Sequence, residues 1–185
     1  MAETTVQKSG WRTLDLVYIA LFSVLTAVCS WIAVPFTVPF TMQTFAVFLT
    51  EGLLGGKRST YAVLVYLLLG AAGIPVFSEF RGGLGILLGA TGGYLLGFLG
   101  SALVYWLVTK RFGSRGWVQA AAMVLGMTVC YAFGTAWFMV VYVQTSGSIG
   151  ILTALSWCVF PFLLPDLAKL VLALVLTRRL GRYLK

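Results

Sequence analysis

The chain has 185 residues, of which 60% are hydrophobic and only 10% charged, far below the roughly 25% charged of soluble domains. The net charge is +8, but the cations fall at the ends of apolar runs, which points to a lipid bilayer and away from nucleic acid as a partner. With no histidine anywhere, Ser-His-Asp and Cys-His catalysis and histidine-held haem or metal are excluded. Cys29, Cys130 and Cys158 are an odd, scattered set inside apolar runs, which suits neither a disulfide framework nor a zinc site.

Apolar run length predicts an all-α polytopic membrane protein of one domain over 1–185. Its six transmembrane helices fall near 14–34, 42–54, 60–72, 91–109, 117–142 and 152–177. In the first, Ala20, Ser23 and Ala27 form a small-residue stripe that lets a second helix approach closely, from this chain or from a partner. Pro35 and Pro39 then disfavour a regular helix. The apolar stretch they interrupt carries Thr41 and Gln43 and is expected as irregular backbone against protein or a wet cavity. Glu51, near Lys57 and Arg58, reads as a solvated or paired charge at the end of a span. The turn Gly55-Gly56-Lys57-Arg58-Ser59 fails the P-loop pattern, because Arg58 stands where Ser or Thr must follow the lysine.

Residues 73–94, GIPVFSEFRGGLGILLGATGGY, hold seven glycines. The stretch is too apolar for a solvated loop and too glycine-rich for a good helix, so it is expected to fold back as a cap over the helices. Arg81 is its only cation. In the fifth span, Gly126, Cys130 and Gly134 make a ridge for close packing. Tyr131, Thr135 and Phe138 lie on a neighbouring face.

The sixth span carries the costliest residue in the chain. Asp166 sits roughly 18 Å in from Arg178, near the middle of a hydrocarbon core about 30 Å thick. An acid there costs on the order of 3 kcal/mol even on the lenient insertion scale. Lys169, three residues on, shares its helix face, so the two can meet each other or one ligand. Lys8, Arg12, Lys57, Arg58, Lys110, Arg111, Arg115, Arg178, Arg179, Arg182 and Lys185 fall on one side of the six spans and Arg81 alone on the other. The positive-inside rule then puts both termini in the cytoplasm, with the glycine-rich loop outward over a pocket floored by Asp166 and Lys169.

The pieces PFTMQTFAV (39–47), GIPVF (73–77), GGLGILLGATGGYLLGF (82–98), GTAWF (134–138) and PFLLPDLAK (161–169), in this order, resemble the BioY family, the biotin-specific S components of energy-coupling-factor (ECF) transporters. Ala90 stands where the family usually has proline. The resemblance implies capture of biotin as a transported ligand, with no cofactor and no enzymatic activity of the chain's own. It implies partnership with a transmembrane coupling subunit that faces helix 1 and with two ATPase subunits, in the cell membrane. An Asp166 carboxylate accepts ureido N–H bonds, and Lys169 or Arg81 donates to the ureido oxygen or to the ligand carboxylate. Tyr94, Tyr131 and the glycine backbone pack on its rings. Thr41, Gln43, Thr91, Gly92, Gly93 and Thr135 complete the expected binding set. The alternatives are capture of a different small vitamin and a channel or structural subunit without an organic ligand; an intramembrane enzyme lacks the residues it needs.

Overall fold

The computed structural model describes residues 11–35 and 38–183, apart from the side chains of Thr145 and Ser146. Lys8, Thr37 and Lys185 therefore lie outside the described residues. The long elements are all helices. α1 (Thr13–Trp31) leads into a minimal hairpin, β1 (Ala33–Val34) against β2 (Phe40–Thr41), paired antiparallel as Ala33 with Thr41 and Val34 with Phe40. This pairing satisfies the backbone where the prolines interrupt the helix. α2 (Gln43–Ala71) follows; then come a 3-10 turn (Ser78–Phe80), α3 (Leu84–Leu87), α4 (Gly92–Phe112), α5 (Gly116–Ser146), α6 (Ile151–Cys158) and α7 (Phe160–Leu180).

α2 is two helices in one. Gly55 has φ +75° and ψ 170°, a backbone state open to glycine and closed to most other residues. The arms 43–54 and 56–71 fold back on each other, as the 2.8 Å hydrogen bond from Gln43 Nε2 to Tyr66 Oη requires. The expected five-residue basic turn is thus a single-residue break, and the second arm begins four residues earlier than expected.

The last expected span is also divided. The chain leaves helical geometry at Val159 (φ −126°, ψ −56°), and α7 restarts with Pro161 in its first turn, where a missing N–H costs nothing. Helices 13–31, 92–112, 116–144 and 151–180 are long and apolar enough to cross a membrane. Their outward faces are bare hydrocarbon: Leu16, Leu21 and Val24 on α1, and Leu164, Val171 and Leu172 on α7, are exposed. This multi-pass membrane protein keeps its polar groups inside and its apolar groups facing lipid.

α4 and α5 form the tightest pair, and the Gly126, Cys130, Gly134 ridge is its seam. Gly126 faces Ser101, Cys130 lies against Gly97, and Gly134 faces the Tyr94 ring. The first arm of α2 sits between α4 and α7, and α1 packs along α2.

The glycine-rich loop is tied to the bundle at both ends. Ser30 Oγ donates to the Val76 carbonyl at 2.6 Å and Trp31 Nε1 to that of Pro75 at 3.0 Å. At the other end, Trp137 Nε1 of α5 donates to the Gly89 carbonyl at 3.0 Å. Phe77, 1% exposed, plugs the loop into the core edge-on to Tyr66.

Candidate binding cavity within the helix bundle

A cavity opens between the hairpin, the first arm of α2, the loop, α4, α5 and α7. Its volume is ≈ 80 Å³, room for several waters at about 10–15 Å³ each. Most of its wall is apolar. Phe40 and Phe162 stack with ring centroids 6.1 Å apart, and Tyr94, Leu95 and Phe98 face the same space.

The polar groups converge on Asp166, which is 3% exposed. Its Oδ1 accepts from Lys169 Nζ at 2.7 Å and from Thr44 Oγ1 at 2.9 Å, and its Oδ2 accepts from Tyr131 Oη at 2.6 Å. A carboxylate has about four lone-pair sites, so one remains for a ligand donor. Lys169 is saturated. Its three N–H groups go to Asp166, the Thr41 carbonyl (2.7 Å) and Thr44 Oγ1 (3.0 Å), and its ammonium lies 3.8 Å from the centre of the Phe40 ring. The unused valence at this end of the cavity is therefore an acceptor.

Of the expected binding residues, Thr41, Gln43, Thr91, Tyr94, Asp166 and Lys169 line the cavity together. Tyr131 joins through Asp166, and Thr135 through a 2.8 Å hydrogen bond with Tyr94 Oη. Gly92 and Gly93 lie behind the wall. A Cβ on Gly92 would run into the Leu87 carbonyl, and one on Gly93 into the Trp137 side chain. They permit the loop to close on α4 and α5 without lining the cavity. Arg81 does not reach the lining either; it is exposed and paired with Glu79.

The α1 stripe is corrected by burial. Ser23 is 1% exposed and donates across to the Ala62 carbonyl of α2 at 2.8 Å, and Ala27 is 5% exposed. Both face inward, so neither is available to a partner, and only Ala20 lies on the outer surface. The small residues bring α1 close to α2 of the same chain.

Thr44, Phe40 and Phe162 were not singled out from sequence. Thr44 lies three residues beyond Thr41, in the first turn of α2, and that closeness is the one signal that points to it. Glu51 is a second correction. It is 0% exposed, its Oε1 accepts from Ser101 Oγ at 2.9 Å, and its Oε2 has no partner among the described residues. The repeat Gln43, Val47, Glu51, each four residues on, puts it on the inward face of the arm. Glu51→Ala strands the Ser101 hydroxyl and is expected to cost about 1–3 kcal/mol, seen as a lower melting temperature. Glu51→Gln keeps the acceptor and is expected to melt near wild type.

The sequence model of the BioY family matches residues 3–185. This chain belongs to the BioY family. Among its BioY relatives, the "Biotin transporter BioY" of Thermotoga maritima is 42% identical over 169 residues, covering 91% of this chain and 96% of the relative. The "Probable biotin transporter BioY" of Pyrococcus horikoshii is 36% identical over 163 residues, covering 88% and 93%. The crystal structure of "the S-component for biotin from an ECF-type ABC transporter" superposes with a TM-score of 0.80 at 25% identity, covering 91% of this chain and 90% of that one. The fold is thus that of a transporter's substrate-binding component. Within this BioY chain, Ala90 neighbours Gly89, whose carbonyl Trp137 holds.

Proposed function

We propose that this protein is a biotin-capturing S component, which takes up biotin as the substrate-binding subunit of an ECF-type transporter. The observation that carries the reading is the buried Asp166 carboxylate with one lone-pair site unspent, at the end of an apolar, aromatic-lined cavity, in a chain whose relatives are named biotin transporters. Biotin's ureido N–H donates to Asp166 Oδ2. Its fused rings lie against Tyr94, Phe40 and Phe162, and the apolar wall supplies the burial. Ser78, Thr91 and the second N–H of Gln43 make no side-chain hydrogen bond among the described residues and line the same cavity, so they are free for the ligand's acceptors. Lys169 orients the carboxylate and Thr44, and Arg81, now paired with Glu79 three residues from the lining residue Ser78, is the cation assigned to the carboxylate tail. Small-molecule mass spectrometry of the purified chain tests the reading: biotin released on denaturation is the expected result, and another vitamin in its place overturns it.

The chain sits in the cell membrane with six spans, four from the long apolar helices and two from the arms of α2, and both termini are cytoplasmic. The arms rise only about 18 and 24 Å, and the hairpin and loop complete the thickness on the outer side. A cysteine at Ser148 is expected to react with an impermeant thiol reagent from outside, and one at Ser114 only after permeabilisation. The reverse pattern contradicts an outward cavity. A transmembrane coupling subunit and two ATPases complete the transporter, and the outer face of α1 around Ala20 is the seat for the coupling subunit.

A further inference from the structure

A second cavity, of ≈ 780 Å³, lies at the opposite end of the bundle, where the start of α1, the turn of α2 and the end of α7 meet. Arg178 is twelve residues beyond Asp166 on α7, about 18 Å along the helix, which puts this cleft at headgroup depth. Arg12, Arg58, Arg178 and Arg182 surround it, with Asp15 the one acid in its lining. Asp15 is already spent. It pairs with Arg58 at 2.6 Å and accepts the backbone N–H of Arg12 at 3.2 Å. Arg12, Arg178 and Arg182 form no ion pair among the described residues. Thr177 lines the inner wall, but its hydroxyl is buried against Gly52 and does not face the cleft. Arg182 donates its Nε to the Arg179 carbonyl at 3.1 Å, so the cleft offers the full guanidinium forks of Arg12 and Arg178 and the terminal N–H groups of Arg182, a donor set that fits tetrahedral oxyanions.

We propose that this cleft binds the phosphate-bearing headgroup of an anionic phospholipid. A lipid fits better than a free anion because the cleft is continuous with hydrocarbon. Leu14 is part of its lining and 54% exposed, and Val17 and Leu21 carry the exposed apolar face on along α1, a track for an acyl chain. Cations between helix ends at headgroup depth are where anionic lipids are recognised. The bound headgroup joins α1 to α7, which each pack on α2 and have no extensive packing on one another, so lipid occupancy stabilises the bundle by mass action.

The test uses the full chain, stripped of lipid in neutral detergent, with melting temperature and native mass spectrometry as readouts. Phosphatidylglycerol is expected to raise the melting temperature by several degrees and to be retained as one lipid per chain, with a shift that shrinks as salt rises. Phosphatidylcholine and inorganic phosphate are expected to do neither. Arg12→Gln with Arg178→Gln is expected to abolish the shift, whereas Arg111→Gln, outside the cleft, keeps it. An equal shift with phosphatidylcholine overturns the proposal, as does the full shift with inorganic phosphate alone, which would make this a free-anion site. An undiminished shift in the double variant overturns it too. Stabilisation by an acidic peptide but not by phosphatidylglycerol would give the cleft to a protein partner instead.

Discussion

Asp166→Asn combined with Lys169→Met is expected to yield a chain that melts near wild type yet binds biotin at least about tenfold more weakly. The single change Asp166→Asn has two effects that must be separated. It removes a charged acceptor from the ligand, a bond worth about 1.5–3 kcal/mol, and turns amide donors toward the ureido N–H groups. It also leaves the Lys169 ammonium, 6% exposed, without its 2.7 Å partner, and breaking a buried pair costs about 3–5 kcal/mol of stability. Lys169→Met removes that stranded charge and fills similar volume, so the double variant isolates the binding effect. A purely structural pair predicts the same restored melting but wild-type affinity. Thermal melting and equilibrium binding on the same three preparations separate the two outcomes.

Gly92→Ala is expected to lower the melting temperature and to weaken biotin binding by more than about tenfold. Its Cβ would occupy the space of the Leu87 carbonyl oxygen. That atom is backbone and cannot swing aside as a side chain can, so the cost is expected at or above the upper end of the usual 1–3 kcal/mol for overpacking. Relief requires 84–91 to move off α4, which takes Ile86 and Thr91 out of the cavity wall. Gly85→Ala is the control, because a Cβ there meets nothing within 4 Å. If Gly92→Ala binds and melts as Gly85→Ala does, the close approach of loop and helix carries no weight in the site.

Much of this architecture is legible in the sequence. Asp166 was conspicuous because an acid inside an apolar run has few explanations, and Lys169 followed from helical spacing alone. The Gly126, Cys130, Gly134 ridge was legible for the same reason. Periodicity tells which residues share a face, but it does not tell what that face meets. The α1 stripe shows the limit. Ala20, Ser23 and Ala27 invite close packing, but whether the second helix belongs to this chain or to a partner depends on α2, some 39 residues away at Ala62. Thr44 stayed hidden because its partner Asp166 is 122 positions distant. Glu51 was misjudged from its neighbours Lys57 and Arg58, when its own helix face, shared with Gln43 and Val47, leads inward. Val159 carries no local breaker of its own, and the proline that follows it reads equally well as the first turn of a new helix or as a kink within one.

Calorimetric titration of the purified chain with biotin, and in parallel with riboflavin and thiamine, tests the central claim most directly. The cavity's single spare acceptor at Asp166 and its stacked aromatic wall predict saturable binding of one biotin per chain and no saturable heat from the other two. Saturable binding of riboflavin or thiamine, with none of biotin, would contradict the assignment of this cavity.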